Sequence, residues 1–127
     1  MSGDRSEVSI SDAALQRMLD EDPGGPVYLL NLLRFKPDGG RELYSKYLAE
    51  ADKFAPRFGA ELVYVGDGDA LLIGDDRQRW DLVLISRYPS RQAFADLIRG
   101  HEYQAIAHLH HDALTEAVLQ PTRPATL

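Results

Sequence analysis

The hydrophobic positions of the chain fall into blocks whose period switches between helical and alternating. Residues 1–8 are polar and carry no pattern, so they are expected to be loose. From Ile10 onward, Leu15, Met18 and Leu19 form a short stripe at helical spacing, with Ser11 placed to cap the helix and Ile10 to staple onto Leu15. The breaker Asp22-Pro23-Gly24-Gly25-Pro26 stops it. Val27 to Phe35, VYLLNLLRF, is apolar on both alternating faces, the pattern of a mid-sheet strand covered on both sides. Residues 41–58 return to helical period, with Tyr44, Tyr47, Leu48, Ala51, Ala55 and Phe58 on one face and Gly59 as stop signal. Residues 60–73 read as an extended strand interrupted at Gly66-Asp67-Gly68, and Trp80 to Tyr88 as the next strand. Ser90 caps a helix that has Phe94, Leu97 and Ile98 inward, breaks at Gly100 and resumes over 101–114. Thr115 to Gln120 is the last strand.

The element order is βαββαβ after an extra N-terminal helix. Two such halves in one antiparallel sheet give an α+β, ferredoxin-like sandwich with its helices on one face. The other face then carries every second residue of two largely apolar strands. A soluble monomer rarely exposes such a patch, so a second copy is expected to cover it and the protein to be a homodimer. The boundaries predicted are 1–25 for an N-terminal extension with its helix, 26–122 for the sandwich and 123–127 for a tail.

Pro26-Val27, then Leu30-Asn31-Leu32-Leu33-Arg34-Phe35-Lys36, Tyr44 and Tyr47, the Trp80-Asp81 strand start, Tyr88-Pro89-Ser90, and Tyr103 ahead of a helix end at His110 occur in one order. In that order and spacing the chain resembles domain of unknown function 1330 over roughly residues 26–122. The resemblance implies a dimeric α/β barrel, in which two ferredoxin-like protomers join their sheets, and it implies no reaction. His111 stands where the resemblance leads one to expect an arginine, so an anion-binding role is not carried over to that place.

Composition adds exclusions. The 127 residues are 44% hydrophobic and 27% charged, enough for one modest core. Fourteen basic against 20 acidic residues leave a net charge of −6, which repels a phosphate backbone, so nucleic acid is not an expected partner. Neither central strand carries the basic and aromatic signature of RNA-stacking sandwiches. Zero cysteines exclude disulfides, thiolate metal sites and a cysteine nucleophile. No leader pattern and no run of about 18 apolar residues is visible, so the expectation is a cytoplasmic protein without a membrane partner.

Candidate chemistry centres on four histidines within residues 101–111. A helical wheel turns Tyr103 and His110 inward with Leu109 and Ala113, and turns His101, His108, His111 and Asp112 outward. His108 and Asp112, four apart, supply two ligands where zinc wants three or four, so no metal is expected. His110 reads either as a histidine bonded to a neighbouring carbonyl or as a general acid, base or ligand contact. Asn31 and Arg34 interrupt the first strand with opposite parity, so they face opposite sides. If the helices cover Asn31's side, it joins Tyr44 or Tyr47 and His110 in a pocket. Otherwise Arg34 occupies that side and could receive an anion, or pairs with a carboxylate across the dimer seam. Trp80 is either a pocket wall or a cap on the sheet edge. Gly66-Asp67-Gly68-Asp69 with Asp75-Asp76 lacks the calcium-loop pattern and reads as a turn. No G-x-S-x-G, P-loop or dinucleotide fingerprint occurs.

The expected function is a homodimeric small-molecule-binding protein with a pocket between sheet and helices. No cofactor is expected; proton transfer or an oxygenation that the substrate supports would suit the residues, as in cofactor-poor monooxygenases of the wider superfamily. Asn31 and His110 are the catalytic candidates, and Arg34, Tyr44, Tyr47, Trp80 and Tyr103 the ligand-binding ones. The alternatives are a non-catalytic binding or regulatory module and, third, a haem-binding variant using His110.

Overall fold

The computed structural model describes residues 8–127. Its elements are α1 (Asp12–Asp20), β1 (Val27–Phe35), α2 (Gly40–Ala51), β2 (Glu61–Asp67), β3 (Leu82–Tyr88), α3 (Arg91–Arg99), α4 (His101–Ala113) and β4 (Leu114–Thr122), with short 3₁₀ turns at Ala55–Phe58 and Asp76–Gln78. The four strands form one antiparallel sheet in the order β2-β3-β1-β4. This is the ferredoxin-like arrangement that the element order predicts.

β1 is bonded on both sides, to β3 from Val27↔Tyr88 to Leu33↔Leu82 and to β4 from Tyr28↔Thr122 to Phe35↔Leu114. Its inner residues Val27, Leu29 and Leu33 are buried under the helices, together with Leu82, Leu84 and Tyr88 of β3. Tyr28, Leu30, Leu32 and Arg34 point the other way, beside Val83 and Ile85. Pro121 is tolerated in β4 because that strand is an edge.

Three elements differ from the periodicity. The helix expected over 41–58 ends at Ala51, and a 3₁₀ turn carries Pro56 near its start. A proline there has no N–H and its ring would strike the carbonyl one turn back, so the helix cannot run through it. The extended segment 60–73 stops at Asp67, because β3 begins only at Leu82 and nothing remains to pair with. Leu72 and Ile73 are 101% and 93% exposed. Trp80 and Asp81 precede β3 rather than open it; Asp81 still holds β1, its carboxylate accepting from the Phe35 N–H at 2.9 Å and its N–H donating to the Leu33 carbonyl at 2.8 Å.

The expectation of a loose segment at 1–8 falls mostly outside the described residues. Its last member, Val8, is buried. α1 begins as predicted, with the Ser11 hydroxyl accepting from the Ala14 N–H at 3.1 Å. It lays Leu15 and Met18 into the same core as Val27, Leu29, Phe94 and Tyr103. After it, Gly24 and Gly25 turn the chain at φ +85° and +81°, values that suit glycine alone. The other tie is Arg91, buried on the first turn of α3, whose Nη1 donates to the Met18 carbonyl at 2.9 Å. That carbonyl belongs to the last turn of α1, where acceptors lack helical partners. Replacing Arg91 by alanine should lower stability by about 1 to 3 kcal/mol and open residues 21–26 to limited proteolysis. Urea unfolding and a time course with a glutamate-specific protease, which can cut after Glu21, check this; a variant indistinguishable from wild type in both would show that α1 is held by other means.

Candidate functional site

Between the inner face of the sheet and the helices lies a cavity of ≈ 930 Å³. β1 and β3 give its floor through Leu29, Asn31, Leu33, Leu84 and Ser86, and α2 and α4 give walls through Tyr44, Tyr47, Tyr103, Ala107 and His110. The segment from Val8 to Met18 closes a further side. Most of the lining is apolar, with a few polar groups converging on it.

The strand alternation that left Asn31 and Arg34 undecided is resolved by the helices. Asn31 shares its parity with Val27, Leu29 and Leu33, the buried side, and it faces the cavity. Its Nδ2 donates to the Leu29 carbonyl at 3.2 Å and to the Leu84 carbonyl at 3.3 Å. Both amide hydrogens are thereby used. The opposite orientation would set Oδ1 against two other acceptors, so Oδ1 is the atom left over. Among the described residues nothing donates to it.

On α2, Tyr44 and Tyr47 follow one another three apart and so share a face. The Tyr47 hydroxyl donates to that of Tyr103 at 3.0 Å, and the two rings meet edge-on at 6.1 Å. The His110 ring packs against Tyr47 at 5.0 Å and Tyr44 at 5.9 Å. His110 is thus half-buried beside these two rings. Burial pushes its pKa down to about 4, against the opposing pull of a hydrogen bond to the Val8 backbone, with a small further lowering from His111. Burial likewise raises Tyr44, Tyr47 and Tyr103 above the ordinary phenol value, so all three stay protonated. At neutral pH this set of side chains is uncharged.

Five of the seven residues singled out from the sequence, Asn31, Tyr44, Tyr47, Tyr103 and His110, therefore meet at one cavity. Arg34 and Trp80 do not, which corrects their grouping with a pocket. Arg34 is on the outer face, its guanidinium 4.6 Å over the Trp80 ring, ion-paired to Glu116 of the same chain and donating to the carbonyls of Arg77 and Arg79. With its donors committed, it pins the turn before β3 to the sheet. The expected partner carboxylate across a dimer seam is supplied within the chain.

Sequence reasoning missed the contribution of residues 8–18, which were assigned to an appendage. The available signal was the apolar stripe Leu15 and Met18, which must bury itself against something. It also missed Ser86 and the β4 residues Ala117, Leu119 and Pro121, whose inward parity follows only from the strand order. His101, His108, His111 and Asp112 are exposed. Among the described residues no group of three or more His, Cys, Asp or Glu could hold a metal ion, and no helix is long and apolar enough to cross a membrane.

Comparison with known proteins places this geometry. No curated protein matches the chain. A crystal structure of a protein of unknown function from Rhodopseudomonas palustris is 27% identical, with 97% of this chain and 100% of that chain covered and a TM-score of 0.87. A dimeric ferredoxin-like protein of unknown function from Jannaschia sp. CCS1 is 13% identical over 79% of this chain and 100% of its own, with a TM-score of 0.61. A Caulobacter crescentus CB15 protein described as a candidate antibiotic biosynthesis monooxygenase is 12% identical over 87% and 99%, with a TM-score of 0.58. The last two show the fold alone. The family model described as domain of unknown function, DUF1330, matches residues 28–120, and the chain belongs to that family.

Proposed function

We propose that the protein is a homodimer that binds a small molecule in each protomer's cavity, with Asn31 and His110 as polar anchors. The observation that carries the reading is the convergence of Asn31, Tyr44, Tyr103 and His110 on an otherwise apolar cavity of ≈ 930 Å³. Ligand sites share this makeup: apolar walls, a few placed polar groups and a volume of about 300 to 1,000 Å³.

Binding fits the site better than proton transfer does. A histidine with a pKa of about 4 is a weak base at neutral pH, whereas an anchoring role needs only its unprotonated nitrogen. A catalytic role for the same two residues would act on a ligand already held there.

The pairing of two protomers rests on the outer face. Tyr28, Leu30, Leu32, Val83, Ile85, Tyr64 and Val118 share it, and no helix covers it. The Arg34–Glu116 and Arg87–Glu61 pairs stand at its borders. An apolar centre with a charged rim is the makeup of an interface, and a two-fold axis lets one patch cover its own copy.

Light scattering at micromolar concentration should give twice the chain mass for the wild type and the single mass for Leu32→Glu; a monomeric wild type removes the dimer. Ala107→Trp, which fills the cavity, should abolish the fluorescence gain of Nile red, while Ala105→Trp on the exposed side of α4 should leave it unchanged. Equal gains in both variants would place the dye elsewhere. The third expectation concerns acid. Burial lowers the His110 pKa from 6.5 to about 4, so between those values the unfolded chain binds a proton that the folded chain refuses. The contribution is fully present above pH 6.5 and is lost as pH falls towards 4, by about 3 kcal/mol in all. His110→Gln should flatten that part of the stability profile; an unchanged acid slope would assign it to other groups.

A further inference from the structure

We infer that the cavity selects an uncharged ligand carrying an O–H or N–H donor on an apolar body, a neutral phenol being the simplest case. The inference rests on the small-molecule reading above and specifies the chemistry of its ligand.

The hydrogen-bond inventory of the walls carries it. Asn31 spends both amide hydrogens on the Leu29 and Leu84 carbonyls, leaving Oδ1 as an acceptor with no donor among the described residues. A neutral imidazole has one N–H and one bare nitrogen. His110 lines the cavity against Tyr44 and Tyr47, so its bare nitrogen is a second acceptor. Two half-buried acceptors that face the cavity with no donor among the described residues favour a ligand that brings a hydrogen to them, because an acceptor cut off from water and left unmet is costly and a met one is not. The Tyr44 hydroxyl, and the Tyr103 hydroxyl that accepts from Tyr47 and keeps its own hydrogen, can donate to the same ligand group. A phenolic oxygen both donates and accepts, so one atom can serve both kinds of wall group.

Charge sets the other half of the specificity. Among the described residues the acidic groups of the lining are Asp52 and Glu61, both exposed, and Glu61 is paired with Arg87 at 3.2 Å. Among the described residues no lysine or arginine lines the cavity. A carboxylate or phosphate would pass Asp52 and then lie in the cavity with no counter-ion among those residues. An ammonium would lose its water to neutral acceptors only, with no buried carboxylate among the described residues to pair with it.

The experiment is calorimetric titration of the full chain with four compounds that share one ring system: 2-naphthol, 2-methoxynaphthalene, 2-naphthoate and 2-naphthylmethylammonium. The expected result is tightest binding of 2-naphthol, by about fivefold or more over each of the others. Asn31→Leu should bring naphthol down to the level of its methyl ether. Because that variant also frees two strand carbonyls and could fail to fold, His110→Phe is the second variant, expected to shrink the same preference. Ala107→Trp should abolish binding of all four. Equal or tighter binding of the ether or of either ion, still lost in Ala107→Trp, overturns the ligand class and leaves the cavity as a binding site. Binding that survives Ala107→Trp, or no binding of any of the four, overturns the cavity reading together with the class.

Discussion

A strand bonded on both edges and apolar on both faces gains by withdrawing each face from water, and β1 is such a strand. Its hydrogen bonds to β3 and β4 place it inside the sheet, and its alternation then divides the molecule into two jobs. Val27, Leu29 and Leu33 go under the helices and anchor the core. Tyr28, Leu30 and Leu32 go to the face that no helix covers. Folding buries the first set and leaves the second on the open face. Burial of apolar area at about 25 cal/mol per Å² drives the first, and the same term would favour the homodimer proposed above through the second.

Asn31 interrupts the inner set, and the cavity follows from it. A polar side chain among buried leucines has to spend its hydrogens nearby, and it does so on carbonyls of its own strand and of β3. A leucine there would have continued the packed core. The amide instead leaves an acceptor facing open volume, opposite tyrosines from α2 and α4 that are too bulky to collapse onto the floor. The space is kept because its walls are strands and helices tied to one another, and because the segment from Val8 to Met18 closes it rather than filling it. Arg34, the other interruption of β1, is resolved in the opposite manner. It faces outward, stacks on Trp80, and fixes the turn at Asp76–Gln78 through backbone carbonyls. One polar residue on each face therefore does a different job.

Most elements were legible because their periods are strong. β1 is recovered residue for residue, and the break between α3 and α4 at Gly100 follows from glycine's low helix propensity. The end of α2 was also legible, since Pro56 blocks a helix that continues into it from the preceding turn, but the apolar stripe reaching Phe58 outweighed it. The segment after Asp67 was not legible. Leu71, Leu72 and Ile73 have strand-like composition, and only the absence of a neighbouring strand leaves them exposed. The candidate site was half legible: the wheel turned Tyr103 and His110 to one side, and spacing put Tyr44 and Tyr47 on another helix's inner face. That these rings meet, at centroid distances of 5.0 to 6.1 Å, depends on how two helices separated by β2 and β3 lie side by side.

By itself the sequence determined the kinds and order of the elements, the two-faced character of β1, and the fact that Asn31 and Arg34 point to opposite sides. These are local properties: they follow from periods of 2.0 and 3.6 and from which residues break them. Only the tertiary structure decided which side of β1 the helices cover, and with it that Asn31 lines a cavity while Arg34 pairs with Glu116, 82 residues away. It also decided that the N-terminal segment is a wall of that cavity. The reason is that alternation defines two faces without ranking them. Ranking them takes contacts between residues far apart in the chain, and no local pattern encodes those.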